Sequence, residues 1–197
     1  MSESQVLRRV VKLGGSLLAL PDCVERFRAW RAAQVPAETL LIVGGGALAD
    51  EVREADHRES LSESTAHWLS VRAMLTQSQW LAALLPEAEL AASVVELCAK
   101  PPHARLVIVN PWRFVHDEDP QISETPLPEN WDVTSDSIAA RLAQLTMANE
   151  LVLLKSATAS TTDLQVLAAD GYVDRYFPHA ALAVPRVRLV NLRETDS

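Results

Sequence analysis

The stretch Val10-Val11-Lys12-Leu13-Gly14-Gly15-Ser16 ends an apolar run with a glycine pair, and Leu41-Ile42-Val43-Gly44-Gly45-Gly46 ends another in the same way. The chain has only six glycines, and five of them lie in these two turns. A run of strand length precedes each turn and a helical pattern follows it. This repeated strand, turn and helix order predicts βαβ units with parallel strands.

The alternation of strand and helix patterns continues along the chain. Runs of strand length cover residues 6–13, 39–43, 105–110, 151–155 and 186–190. Apolar residues return every three or four positions over 21–34, 47–57, 63–85, 136–147 and 163–169. We therefore expect an α/β fold, a three-layer αβα sandwich with a mainly parallel central sheet, formed as a single domain by residues 1–197.

Prolines are concentrated in one part of the chain. Six of the eleven lie between Pro101 and Pro128. Proline breaks helices and interior strands, so this stretch is predicted to be an irregular crossover or lid within the domain.

Composition excludes several classes of function. The net charge is −8, and no dense basic stripe indicates a nucleic-acid partner. The N-terminus is polar and no apolar run reaches the ~18 residues of a membrane span, which predicts a cytoplasmic protein without a membrane partner. Cys23 and Cys98 lie far apart, so we expect two buried, inert thiols and neither a disulfide framework nor a metal site.

The two glycine turns have the features of anion-binding sites. Glycine lets the backbone N–H groups approach a ligand, and the helix that follows adds partial positive charge at its N-terminus. Neither turn matches the GxxxxGK[ST] pattern or the dinucleotide GxGxxG pattern. The alternative is that the glycines only make tight corners.

Two lysines are predicted at the carboxyl edge of the sheet. Lys12 lies two residues before the first glycine pair, and Lys155 closes the run Leu151–Lys155. Open α/β sheets bind ligands at this edge, where two ammonium groups suit phosphoryl transfer. Alternatively, each lysine is simply solvated.

The segment 131–143 combines polar residues with a helix start. Thr134, Ser135 or Asp136 is predicted as the helix N-cap. A carboxylate such as Asp136 could hold both lysines in register, and Asp132 could bind substrate hydroxyls or a metal-bound water. The alternative is an exposed capping box.

A histidine and an arginine stand out in the long helical pattern. His67 and Arg72 could face a substrate or a neighbouring subunit. Such residues more often cover an interface or the helix surface.

Four segments together resemble the amino acid kinase superfamily, which includes acetylglutamate, aspartate, glutamate 5- and uridylate kinases. They are Val10–Leu17, Ile42–Gly46, Asp132–Ala140 and Leu153–Ser156. The resemblance implies an open αβα sandwich, usually a homodimer or higher homo-oligomer, that transfers the γ-phosphoryl of MgATP to an anionic small molecule, a phosphate or carboxylate acceptor. Such acceptors need no activated nucleophile, because they are already anionic at neutral pH.

The resemblance also implies roles for individual residues. Lys12 and Lys155 would stabilise the transferring phosphoryl group, and Asp136 would organise the two lysines. The other residues would contact either ATP or the acceptor. ATP would contact Gly14, Gly15, Ser16, Lys155 and Ser156, and the acceptor would contact Gly44, Gly45, Gly46, Asp132, Thr134 and Ser135.

Finer features are similar to the branch that contains the archaeal aminomethylfuran phosphate kinase of methanofuran biosynthesis. They are Ala49–Arg53, Leu61–Trp68, Arg72–Met74 and Pro111–Phe114. This similarity implies a furan methyl phosphate as the acceptor, in the synthesis of a one-carbon cofactor.

One segment departs from the superfamily pattern. Many relatives have a Lys-x-x-Asp-Gly nucleotide loop, whereas Lys155 is followed by Ser156-Ala-Thr-Ala-Ser-Thr-Thr-Asp163. This departure favours the alternative function, a non-catalytic protein that binds a nucleotide or an oxyanion.

Overall fold

The protein is described by a computed structural model that covers residues 6–91 and 93–194. Six strands form one sheet in the order β3-β4-β2-β1-β5-β6, and every neighbouring pair is parallel. The strands are β1 (Leu7–Leu13), β2 (Ala37–Val43), β3 (Glu89–Leu90), β4 (Arg105–Ile108), β5 (Glu150–Lys155) and β6 (Val187–Asn191).

Helices connect the strands, as parallel pairing requires. The α-helices are α1 (Cys23–Ala32), α2 (Gly46–Glu59), α3 (Glu63–Leu84), α4 (Val94–Cys98), α5 (Asp119–Ile122), α6 (Ser135–Leu145), α7 (Leu164–Ala169) and α8 (Phe177–Ala180). A 3₁₀ helix follows β1 at Gly15–Ala19, and a π-helical segment spans Arg113–Glu118.

The sheet is buried on both faces by alternating side chains. Val10 and Leu40 belong to a hydrophobic cluster with residues of α6, whereas Val11 and Leu41 belong to a second cluster with residues of α1. The predicted α/β sandwich with a parallel central sheet is therefore confirmed.

The periodic patterns locate the five longer strands and five helices to within a few residues. They miss β3, α4, α5 and α8, which have two to five residues and are too short to show a period. The proline-rich stretch is more regular than predicted, since besides the predicted strand β4 it carries the π-helical segment and α5. Pro120 lies in the first turn of α5, where the missing N–H has no helical partner to lose.

The order of the strands locates the crevice where a ligand can bind. The chain adds β2, β4 and β3 on one side of β1, and β5 and β6 on the other. Open α/β sheets bind ligands beyond the carboxyl ends of the strands, at the point where the chain changes from adding strands on one side to adding them on the other. In this sheet, that point lies between β1 and β5. Gly14 and Lys155 stand at those two strand ends.

The cysteine prediction is half correct. Cys23 is buried, but Cys98 is exposed, so the expectation of two buried thiols is wrong for Cys98. The five-residue α4 buries Val94 and Leu97, and Cys98 lies on its outer side. Among the described residues, no helix is both long enough and apolar enough to cross a membrane.

Candidate active site

The two glycine turns pack directly against each other. A Cβ on Gly15 would lie 2.2 Å from the backbone nitrogen of Gly46, and a Cβ on Gly44 would lie 2.6 Å from the nitrogen of Gly15. Gly46 has a φ of +54°, which also favours glycine. The turns therefore form one continuous floor, and close packing between them is part of the reason for the glycines.

Asp136 joins the two predicted lysines. Its Oδ1 lies 2.9 Å from Nζ of Lys12, and its Oδ2 lies 2.7 Å from Nζ of Lys155. The lysines come from the neighbouring strands β1 and β5, and the carboxylate comes from the first turn of α6. Lys155 also donates to the carbonyl oxygen of Tyr172 at 2.7 Å. The three side chains form a compact buried charge cluster with one more positive than negative charge.

The cluster shifts the pKa values of Asp136 and Lys155. Burial alone raises the pKa of Asp136, but attraction to Lys12 and Lys155 outweighs burial and holds this pKa below its usual value. Burial and the neighbouring Lys12 lower the pKa of Lys155 to about 8, although Asp136 opposes the shift. The Lys155 ammonium therefore loses its proton near pH 8, in the mildly alkaline range, unless a further anion binds beside it.

Asp174 holds the start of α6, and no sequence pattern indicates this role. It accepts hydrogen bonds from the backbone nitrogens of Thr134 and Ser137, both at 3.0 Å, and from both hydroxyls. Thr134 is the N-cap residue, but its own side chain makes no cap bond. The N-cap thus falls on one of the three predicted residues, but in place of the exposed capping box that was the alternative, the helix start is bonded by a carboxylate 37 to 40 residues away along the chain. Burial and the nearby Asp136 raise the pKa of Asp174.

A cavity of about 230 Å³ opens between the glycine floor and helix α3. Its lining includes the predicted residues Gly15, Ser16, Gly44, Gly45, Gly46, Thr134 and Ser135. Apolar side chains of Val71, Met74 and Ile138 form part of the wall, and Asp50 and Arg53 bring charge. Residues expected to hold ATP and residues expected to hold the acceptor thus border the same space.

A second cavity of about 550 Å³ contains Lys155 and Asp136. It shares Arg53, Trp131 and Thr134 with the first cavity, so the two are adjacent. Asp132 lines this second cavity with its side chain half exposed, and it contacts Arg175 only loosely at 3.8 Å.

The first glycine turn also contacts the segment after β5. Gly14 donates to the carbonyl oxygen of Leu154 at 2.9 Å, and the hydroxyls of Ser16 and Ser156 are 2.9 Å apart. A third cavity of about 480 Å³ lies farther along this segment, between residues 158–164 and strand β6. Its lining includes Thr158, Thr161 and Asn191. The segment that lacks the Asp-Gly pair therefore still borders a pocket rich in hydroxyl groups.

Arg53 and Trp131 were not predicted as site residues, yet they stand between the first two cavities. The guanidinium carbon of Arg53 lies 4.6 Å from the centre of the Trp131 ring. The ring nitrogen of Trp131 donates to Asp56 at 2.7 Å, which fixes the ring. A stacked guanidinium that lines both cavities is suited to bind an anion at their boundary.

His67 and Arg72 do not act as a pair. Side chains that are five positions apart on a helix point to different sides of it. His67 is 2% exposed and lines the first cavity, whereas Arg72 is exposed and stacks on Trp112 at 4.4 Å. His67 therefore faces the candidate site, and Arg72 covers the outside of the helix.

Side chains alone do not make a metal site here. Among residues 6–91 and 93–194, no group of three or more histidine, cysteine, aspartate or glutamate side chains is placed to hold a metal ion. Mg²⁺ commonly keeps several waters and is bound largely through substrate phosphates. Such a phosphate-borne Mg²⁺ is compatible with this donor set.

Solved kinase structures share this fold. A uridylate kinase from Archaeoglobus fulgidus has a TM-score of 0.61 at 17% identity, over 94% of this chain and 92% of that one. A UMP kinase from Bacillus anthracis has a TM-score of 0.67 at 11% identity, over 95% and 88%. An aspartate kinase from Synechocystis has a TM-score of 0.64 at 14% identity, over 96% of this chain and 38% of that one.

The family model described as "Amino acid kinase family" matches residues 8–158. The chain therefore belongs to the amino acid kinase family, as the sequence resemblance implied. No curated protein matches it in sequence.

Proposed function

We propose that the protein is an ATP-dependent small-molecule kinase that transfers the γ-phosphoryl group of MgATP to a phosphate or carboxylate acceptor. The cluster of Lys12, Asp136 and Lys155 carries this proposal. It lies at the reversal point of the sheet, beside the floor made by both glycine turns. Membership of the amino acid kinase family supports the same reaction class.

The use of lysine in this chain supports a specific role for the cluster. The chain has three lysines and fifteen arginines, and two of the three lysines meet at Asp136. Lysine offers a compact point charge, whereas arginine offers a wide planar fork. A compact ammonium fits between a buried carboxylate and the oxygens of a transferring phosphoryl group, where it stabilises developing charge.

The arrangement of the cavities suggests where each reactant binds. The acceptor would occupy the first cavity, with its anionic group near the second glycine turn and Arg53. The phosphates of ATP would lie towards Lys155, Ser16 and Ser156. The nucleoside would extend into the third cavity, whose hydroxyl and amide groups can bond a ribose or a base.

The chemical step needs little from the protein beyond position and charge. An anionic oxygen of the acceptor attacks the γ-phosphorus, a new P–O bond forms, and the bond to the β,γ-bridging oxygen breaks to leave ADP. The acceptor oxygen is already ionised, so no general base is required. Mg²⁺ would be held through phosphate oxygens and would neutralise part of their charge.

For the acceptor itself, we propose a furan methyl phosphate, in a pathway that builds a one-carbon cofactor. A cavity of about 230 Å³ suits a molecule with one small ring. Its wall of Val71, Met74 and Ile138 offers apolar contact to the ring, and Arg53 offers a partner for the phosphate.

We also propose a homodimer or larger homo-oligomer in the cytoplasm. Helix α3 leaves Leu69, Trp80 and Leu84 40 to 47% exposed, which supports an interface between copies. Light scattering after size-exclusion chromatography would give the mass, and a monomer at micromolar concentration would contradict this proposal.

The kinase proposal is tested by ADP formation from MgATP with a panel of small phosphates and carboxylates. We expect acceptor-dependent ADP release that falls at least about 100-fold in Lys12→Met, the scale for losing one transition-state donor. Lys100→Met is the matched control, because it removes the third lysine, which is exposed. Equal turnover in both variants would show that Lys12 has no role in the reaction.

A second candidate function is a non-catalytic protein that binds a nucleotide or an oxyanion. The segment Ser156–Asp163, which lacks the Asp-Gly pair of many relatives, favours it. Calorimetry separates the candidates, since this function requires MgATP binding without ADP formation for any acceptor in the panel.

A further inference from the structure

A cavity of about 350 Å³ lies at the edge of the sheet opposite the candidate active site. It is bordered by α1 and the starts of β1, β2 and β4, and its lining includes Arg9, Phe27, Arg28, Arg31, Glu87 and Leu106. We call it the amino-edge cavity. Arg9 comes three residues before Lys12 on β1, which is about 10 Å along the strand, and the two side chains point to opposite faces of the sheet. The amino-edge cavity is therefore separate from the charge cluster.

The lining of the amino-edge cavity is positively charged, although the whole chain has a net charge of −8. Arg9, Arg28 and Arg31 line it, and Glu87 is the one acidic residue in the described lining. Arg28 and Arg31 are three positions apart on α1, so their side chains are neighbours on the helix surface. Like charges in this position destabilise a helix, and a counter-anion removes that cost.

Two of the three guanidinium groups already have a carboxylate partner. Arg28 donates to both carboxylate oxygens of Glu87, at 2.8 and 3.0 Å, and Arg9 pairs with Glu150 at 2.5 Å. The side chain of Arg31 has no hydrogen bond or ion pair within residues 6–91 and 93–194. One positive charge at the cavity is therefore not neutralised.

Arg31 differs in this respect from every other buried or half-buried arginine in the described part of the chain. Each of the others forms an ion pair with a carboxylate, and they are Arg8, Arg9, Arg26, Arg105, Arg141 and Arg188. Hydrogen bonding from Arg28 lowers the pKa of Glu87 to about 2, and the nearby charge of Arg31 contributes to the shift. The guanidinium of Arg31 thus lies near the carboxylate of the cavity without bonding to it.

Much of the remaining lining is apolar. Phe27 and Leu106 are buried core residues, and Ala32, Val35 and Ala37 border the same space. Ligand pockets typically combine such apolar walls with a few polar groups that fix the orientation of the ligand. A bare inorganic ion would leave these walls uncovered, whereas an anion with a compact apolar body would cover them.

We propose that the amino-edge cavity binds a small organic anion, a carboxylate or a monophosphate with a compact apolar body, and that Arg31 is its main charged partner. The planar fork of a guanidinium binds either group through two parallel hydrogen bonds. The inference goes beyond the proposed function, because a ligand at this edge does not reach the transferring phosphoryl group. The cavity would hold a molecule that is neither ATP nor the acceptor.

Calorimetry with the full chain tests the site, with phenyl phosphate and benzoate as probes. Each probe carries one anionic group on one apolar ring. We expect at least one of them to bind. Inorganic phosphate, which has no apolar body, should bind at least about tenfold more weakly, and benzyl alcohol, which has no charge, should not bind. The probe that binds more tightly assigns the ligand to the phosphates or to the carboxylates.

Variants of the lining locate the bound probe. Arg31→Gln removes the unpaired charge and leaves the ion pairs of Arg9 and Arg28 in place, and it should weaken binding at least about tenfold. Ala32→Leu, at the exposed last residue of α1, should also weaken binding because the larger side chain fills the cavity. The control Arg186→Gln removes an exposed arginine outside the lining and should leave the affinity unchanged.

Three results would contradict the proposal. Equal affinity of the probes for the wild type and for Arg31→Gln would place them at another site and overturn it. Binding of neither probe would overturn it as well. Equal affinity for inorganic phosphate and phenyl phosphate would exclude a ligand with an apolar body. None of these measurements depends on phosphoryl transfer, so the kinase proposal is tested separately.

Discussion

Replacement of Asp136 by asparagine tests the charge cluster with almost no change in shape. The carboxylate is 5% exposed and pairs with Lys12 at 2.9 Å and with Lys155 at 2.7 Å. Removing one partner of a buried ion pair costs about 3–5 kcal/mol. In a chain of this size, that loss lowers the melting temperature by roughly 6–20 °C.

The control for Asp136→Asn is Asp22→Asn, the same chemical change at a surface pair. Asp22 is half exposed and pairs with Arg26 at 2.7 Å, a type of pair worth about 0–1 kcal/mol. Urea unfolding at pH 7, followed by circular dichroism, gives the free energy of unfolding of each variant. If the two variants lose the same stability, the cluster is not the buried charge centre described above.

The stability deficit of Asp136→Asn should also depend on pH. Without Asp136, the pKa of Lys155 falls below its value of about 8 in the intact site. As the pH rises towards 8, folded Lys155 in the variant loses its proton while the unfolded chain keeps it, so the variant gains stability before the wild type does. The deficit should therefore be larger at pH 6 than at pH 8.5. A deficit independent of pH would exclude Lys155 as the affected group.

Three further outcomes are expected. Gly15→Ala places a methyl group 2.2 Å from the nitrogen of Gly46, so thermal unfolding should show a free energy of unfolding lower by about 1–3 kcal/mol. Ser16→Ala, a change at an exposed residue, should leave the free energy of unfolding at the wild-type value. At pH 8.5, MgATP binding should be coupled to the uptake of a proton, because the phosphates raise the pKa of Lys155. Calorimetry in buffers of different ionisation enthalpy measures this uptake. The variant Lys155→Met should abolish it. Asp174→Ala should lower kcat more than it raises the KM for ATP, because it loosens the helix start that carries Asp136; unchanged kcat would contradict this positioning role.

The sequence predicts the strands, the longer helices and the charge cluster well, for a physical reason. Parallel strands bring their carboxyl ends to one edge, so Lys12 and Lys155 must lie near each other once β1 and β5 are neighbours. The start of α6 faces the same edge, which explains why Asp136 could be singled out from its position alone.

Other parts of the site depend on contacts between distant segments. Nothing local shows that Gly15 and Gly46 touch, or that Asp174 accepts from the first turn of α6. The helical period places His67 on a face of α3 but does not reveal that this face lines a cavity. In the sequence, Arg53 belongs to a helical pattern and to the segment Ala49–Arg53 that resembles one kinase branch, but its stacking on Trp131 required the fold.

Phosphoryl transfer itself is tested most directly by following the label from ATP carrying ³²P at the γ-position. With MgATP and a panel of phosphate and carboxylate acceptors, we expect label on at least one acceptor with the wild-type protein and a strong loss of that product in Lys12→Met. Label that stays on ATP or appears only as inorganic phosphate, with every acceptor, would contradict the proposed phosphoryl transfer.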